Sequence, residues 1–162
     1  MLTVDSWYLD PPTSNPINKT QIANKMEKLT IKVEWFGKNY SGSYAGDNVF
    51  GVVAATGSTL DEFKDDFAEA MDFHINGLLD DGDDIPYWAT TKQYELEFEL
   101  QPSAMLRQVS QFVSMAALSR VSGINQKQLE HYAASRKRPR QPQLEKIKNA
   151  LRIIGEEILS FC

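Results

Sequence analysis

Cysteine is all but absent from this 162-residue chain: the one thiol belongs to Cys162, the last residue. That excludes an intrachain disulfide and any metal cluster built on thiolates. Long apolar runs are missing too. Nothing approaches the roughly 20 consecutive residues that span a bilayer, and the N-terminus lacks the charged-then-apolar pattern of an export signal, so a cytoplasmic location with no membrane contact is expected. Absent as well are a glycine loop of phosphate-binding type and a nucleophile beside a base. Carboxylates are plentiful, but Asp47, Asp61, Asp65, Asp66 and Asp72 show no paired placement on neighbouring strand centres of the kind that holds magnesium. His74 lies on an apolar stripe, where packing is the commoner role than catalysis. These absences point to a protein that binds rather than catalyses, with no cofactor; a degenerate magnesium-dependent nuclease is the enzymatic alternative.

What the chain does have is charge divided by position. Residues 1–101 hold 7 Lys+Arg against 18 Asp+Glu, a net of −11, while residues 102–162 hold 10 against 4, a net of +6. Two modules facing different partners are implied, one able to approach polyanions and one repelled by them. Two small modules have thin cores, so oligomerisation is expected to help stabilise them.

Residues 1–25 include Asp10-Pro11-Pro12-Thr13-Ser14-Asn15-Pro16, which suits neither a helix nor a central strand, and are read as a flexible arm. Patterning begins at Met26, which is a conceivable start of translation alongside Met1. Leu29, Ile31, Val33 and Trp35 alternate with polar residues as in a half-buried strand. Turns at 37–39 and 46–48 then separate two further strands over 40–45 and 49–56, giving an antiparallel meander. Thr59-Leu60-Asp61-Glu62 fits a capping box. The helix it opens has Leu60, Phe63, Phe67, Met71, His74 and Leu78 on one face and ends at Asp80-Asp81-Gly82-Asp83-Asp84 before Pro86. Over 93–100 the period returns to two, with Tyr94, Leu96, Phe98 and Leu100 inward and Glu95, Glu97 and Glu99 outward, where carboxylates discourage stray edge pairing.

Beyond Pro102 the period becomes 3.6. Four helices are expected at about 104–115, 116–122, 126–135 and 141–158. The fold class is therefore α+β: an acidic strand-strand-strand-helix-strand domain over 26–101, joined through Leu100-Gln101-Pro102 to an all-helical domain over 102–162. In the second domain Gly123 suits a left-handed helix end, Ile124 a buried corner, and Asn125 the cap of the next helix, with Leu118, Leu129 and Tyr132 completing a small core. The basic run Arg136-Lys137-Arg138-Pro139-Arg140 follows directly. It could be no more than a solvated face, but its register with a two-helix turn favours nucleic acid.

Leu118-Ser119-Arg120-Val121-Ser122-Gly123-Ile124, with Pro139, Leu144, Ile147, Ala150 and Leu151 downstream, resembles the helix-turn-helix of phage-repressor-like (Xre) proteins over residues 110–154. Met115 stands where that family commonly has glutamine, and Ser135 where glycine is frequent. The resemblance implies a recognition helix over 125–135, with Asn125, Gln126, Lys127, Gln128 and His131 at its DNA-facing end. It also implies that Arg136, Lys137, Arg138 and Arg140 hold flanking phosphates of double-stranded operator DNA. Such proteins usually bind as dimers. Ile153, Ile154, Ile158, Leu159 and Phe161 exceed what the last helix needs and are the expected homodimer contact.

The acidic domain resembles the HicB antitoxin domain, a partial RNase H-like fold, through Gly57-Ser58-Thr59-Leu60-Asp61-Glu62-Phe63 and Leu78-Leu79-Asp80-Asp81-Gly82-Asp83-Asp84-Ile85-Pro86, within residues 28–100. The proline-glycine-cysteine turn frequent in that family has no counterpart at 51–56. This resemblance implies an antitoxin that occludes a small basic, RNA-cleaving HicA-like toxin and represses its operon. Asp80, Asp81, Asp83, Asp84, Glu95, Glu97 and Glu99 are the candidate toxin contacts, although any of them could serve solubility alone. The alternative is a solitary helix-turn-helix regulator whose α+β domain binds a ligand or another protein and meets no toxin.

Overall fold

Alternation in Glu27–Phe36 (β1) buries Leu29, Ile31 and Val33 on one side, and a computed structural model, which describes residues 26–46 and 50–162, builds the sheet around that strand. The expected arm over 1–25 and the turn residues Asp47 and Asn48 lie outside the described residues. Asn39–Ala45 (β2) pairs antiparallel with β1, and Val52–Gly57 (β3) pairs antiparallel with β2. Of the expected strand over 49–56, Val49 lies outside the described residues and Phe50 and Gly51 precede β3, which runs one residue further to Gly57. After the helix Leu60–Asp80 (α1) and the short helix Tyr87–Thr90 (α2), Tyr94–Leu100 (β4) returns parallel to β1, for a strand order of β3-β2-β1-β4. The helices Pro102–Val109 (α3), Met115–Ser122 (α4), Gln126–Ala133 (α5) and Gln141–Ser160 (α6) complete the chain. Among the described residues the fold is thus α+β, with a four-stranded mixed sheet and six helices, none of them long and apolar enough to cross a membrane.

The capping box forms as its spacing predicts. Thr59 accepts from the Glu62 amide at 3.1 Å while the Glu62 carboxylate accepts from the amides of Ser58 and Thr59. The Ser58 hydroxyl bond, followed by those two amides, holds the Glu62 carboxyl below its ordinary range. The stripe of α1 differs at one position. Phe63, Phe67, Met71 and Ile75 are its fully buried residues, a strict spacing of four, and His74 sits at the shoulder with Nε2 against the Phe50 carbonyl oxygen. His74 is therefore a bonded packing residue.

One helix is unexpected and one expected helix end moves. α2 was not expected; it forms because Pro86 sets up its entry and the hydroxyls of Thr90 and Thr91 both donate to the Tyr87 carbonyl at 2.8 Å. α3 stops at Val109 rather than near 115, because Ser114 caps a new helix by accepting from the Ala117 amide at 3.1 Å.

Buried apolar residues gather in two clusters, one between the sheet and α1, the other around Leu106, Leu118, Ile124, Leu129, Tyr132, Ile147 and Ala150. α3 joins them, since Ala104 belongs to the first and Leu106 to the second. Its start is fixed to β1: the Gln101 amide donates to the Val33 carbonyl at 2.8 Å, and the buried Ser103 hydroxyl accepts from the Trp35 amide at 3.0 Å. Leu100-Gln101-Pro102 is a docked corner, not a slack linker.

Tyr94 offers a test of this packing. Its hydroxyl donates to Asp72 at 3.2 Å, and burial first, then the charge of Asp72, pushes its pKa up to about 12. The folded protein keeps this proton at pH values where the unfolded chain, titrating near 10, releases it. The stabilisation is therefore present below pH 10 and lost as the pH climbs towards 12. Denaturant midpoints should fall over that window in the parent protein and fall less in Tyr94→Phe; parallel losses in the two would refute the assignment.

Candidate nucleic-acid interface

The basic run is presented by a turn whose conformation follows from its residues. α4 ends at Gly123, which adopts φ +69°, a left-handed value that costs glycine little and other residues more. The Ser119 hydroxyl donates to the Ile124 carbonyl at 2.6 Å and the Ser122 hydroxyl accepts from the Ile124 amide at 3.2 Å, so both sides of the turn are tied. Asn125 then caps α5 by accepting from the Lys127 amide at 2.9 Å. Leu118, Ile124, Leu129 and Tyr132 are all buried, and they fix the angle between the two eight-residue helices.

Burying Leu129 and Tyr132 turns Lys127, Glu130, His131 and Ala134 outward, with Gln126 at the margin. The candidate residues divide on this geometry. Gln126 and Lys127 are exposed, although the Gln126 amide donates to Glu130 at 2.9 Å. His131 is half-buried on the same face. Asn125 is occupied with capping, and Gln128 is turned towards the Tyr132 hydroxyl, away from the outward face. Glu130 was overlooked in the sequence, yet it stands one turn from Gln126 and is the one carboxylate within this helix; such a group accepts from a cytosine amino group.

The loop after α5 is not free. Ser135 adopts φ +56°, the left-handed conformation that explains why a glycine would suit this position, and its hydroxyl donates to the Trp35 carbonyl of β1. Arg138 donates to Glu34 at 2.6 Å. A cleft of about 310 Å³, bounded by Glu34, Phe36, Pro102, Tyr132, Lys137 and Arg138, runs between loop and strand. The Arg107 guanidinium of α3 lies 4.7 Å from the Trp35 indole centroid. Trp35 thus anchors both α3 and the basic loop. Of the four cations, Arg136, Lys137 and Arg140 are exposed and have no carboxylate partner among the described residues, whereas Arg138 already has one.

The acidic candidates fall into two separate groups. Glu95, Glu97 and Glu99 form an exposed row along the outer side of β4, on the face of the sheet that α1 does not cover. Asp80, Asp81, Asp83 and Asp84 are exposed in the turn that ends α1, on the covered side. Ile153, Ile158 and Leu159 of the last helix and Phe161 just after it are exposed, while Ile154 packs on the second core. Among the described residues no group of three His, Cys, Asp or Glu is placed to hold a metal ion.

No protein-family model matches this chain, no curated protein is significantly similar to it, and no solved structure matches its fold.

Proposed function

We propose that this chain is the antitoxin of a HicAB-type toxin-antitoxin system, one that binds a small basic RNA-cleaving toxin through its acidic domain and represses its own operon through a helix-turn-helix. The observation that supports this reading best is the tied turn at Gly123 and Ile124, which sets α5 with Gln126, Lys127 and His131 outward and places Arg136, Lys137 and Arg140 immediately beside them. On operator DNA, α5 enters the major groove, Gln126 addresses adenine, Lys127 guanine and Glu130 cytosine, and Arg136, Lys137 and Arg140 hold phosphates. Operator half-sites related by a two-fold axis call for two copies, and the exposed Ile158 and Phe161 at the end of α6 supply one self-contact. The toxin meets carboxylates, which speed its encounter and compete with RNA for its cationic surface. The protein acts throughout by binding, without catalysis or cofactor.

Two measurements test this. Duplex DNA from upstream of the chain's own reading frame should be bound tightly at 0.1 M salt and progressively less as salt is added; indifference to duplex DNA in dilute buffer would sink the regulatory half. The product of a short adjoining reading frame encoding a basic protein should arrest growth when expressed alone and not when expressed with this chain. If no such product arrests growth, the chain is a solitary regulator.

A further inference from the structure

The two outer edges of the sheet are protected unequally. β4 carries Glu95, Glu97 and Glu99, whereas β3, at the opposite edge, reads Val52-Val53-Ala54-Ala55-Thr56-Gly57, with no charge and no proline. An uncharged edge strand is a template for pairing. Its outward-pointing groups can be identified. The Gly46 amide donates to the carbonyl of Gly51, its opposite number in register, at 3.1 Å. Bonded and non-bonded pairs alternate along an antiparallel ladder, so Val53, Ala55 and Gly57 bond to β2. The amides and carbonyls of Val52, Ala54 and Thr56 then point away from β2, and among the described residues no strand lies beyond β3 to meet them. The side chains of the same three residues are exposed, Val52 at 64%.

We infer that β3 is a pairing edge and that its occupant is β3 of a second copy, joined antiparallel across a two-fold axis centred on Ala54. That register opposes Ala54 with Ala54 and Val52 with Thr56, and it makes bonded pairs of the three residues whose groups are free. Small and β-branched residues meet, and no like charges do. The alternative homotypic edge is barred: β4 paired with itself would set glutamate against glutamate on one face. The product is a continuous eight-stranded sheet with both uncovered faces on the same side.

The inference does not rest on the proposed function, and its test is kept apart from it. In the full chain carrying Ile158→Asp and Phe161→Asp, which disables the helical tail, light scattering should still give twice the monomer mass of 18.3 kDa. Adding Ala54→Pro removes an outward amide while leaving the β2 bonds of Val53 and Ala55, and should halve the mass. Should that variant misfold, Ala54→Lys and Ala54→Glu decide: each chain alone should be monomeric through like charges at the axis, and an equimolar mixture should recover the dimer. In hydrogen exchange, the Ala54 amide should be protected in the dimer to the same degree as the Ala55 amide. A monomeric tail variant, an Ala54→Pro chain that stays dimeric, or an Ala54 amide protected in a monomer would each overturn the proposal. In every one of these cases DNA binding, measured separately, stands or falls on its own.

Discussion

Alanine at Arg136, Lys137 and Arg140 together should weaken binding to operator duplex on the order of 10²-fold at 0.1 M salt and lower the salt slope, d log K/d log[salt], by about 2.7 in magnitude. Counterion release contributes about 0.9 per phosphate neutralised, here from the three cations that are exposed and have no carboxylate partner among the described residues. Arg138 is the exception. Its guanidinium is held by Glu34 across the two domains, so Arg138→Ala should change the slope little. Glu34→Gln, by contrast, should release Arg138 and steepen the slope by about 0.9. A surface ion pair of this kind contributes only about 0–1 kcal/mol, so Glu34→Gln should leave the stability of the fold nearly unchanged and the salt slope reports the release of Arg138 alone. Anisotropy titrations over a series of salt concentrations check all three variants. A triple variant with the parent slope would remove these residues from the interface; an Arg138→Ala slope that falls as far as that of the triple variant would show that the Glu34 contact does not persist on DNA.

Sequence reading distinguished these four cations poorly, because it could place the run but not what the run touches. Local signals were legible. Thr59 with Glu62, the alternation in β1, and the glycine, isoleucine and asparagine at 123–125 all depend on residues within a few positions of one another, and each took the conformation its spacing implied. The outward row of Glu95, Glu97 and Glu99 was legible for the same reason. Contacts between distant parts of the chain were not. Arg138 meets Glu34 and Ser135 meets Trp35 about a hundred residues away, and no periodicity encodes that pairing. The corner at Gln101 looked like a linker because proline interrupts patterns, yet Pro102 occupies the first turn of a helix, where its missing donor costs nothing. The unexpected end of α3 belongs to a third kind of miss: Ser114 is a strong cap, but within a continuous apolar pattern one serine is a weak stop signal until the turn around it is seen.

The largest stability effect should come from the smallest side-chain change. Gly57 closes β3 at the point where the chain turns over the start of α1, and a Cβ placed on it would lie 2.4 Å from the Phe63 amide nitrogen and 2.6 Å from its Cα. Those are backbone atoms in the first turn of a capped helix, with Phe63 itself fully buried against the sheet, so neither partner can move aside by rotating a side chain. Gly57→Ala must therefore shift α1 away from β3 or shear the strand, spoiling the packing of Phe63 and Phe67. Overpacking of a core commonly costs 1–3 kcal/mol, more when backbone must yield, and a loss of at least about 3 kcal/mol is expected here, a fall in Tm of about 6–12 °C for a chain of this size. Gly77 provides the internal control. It lies within α1, exposed, with nothing within 4 Å of an added Cβ, and alanine there should stabilise by about 0.5–1 kcal/mol through helix propensity alone. Thermal and denaturant unfolding of the two variants beside the parent protein reads both signs. If Gly57→Ala were no less stable than the parent, the close approach of β3 to α1 would be wrong, and with it the seating of the helix on the sheet.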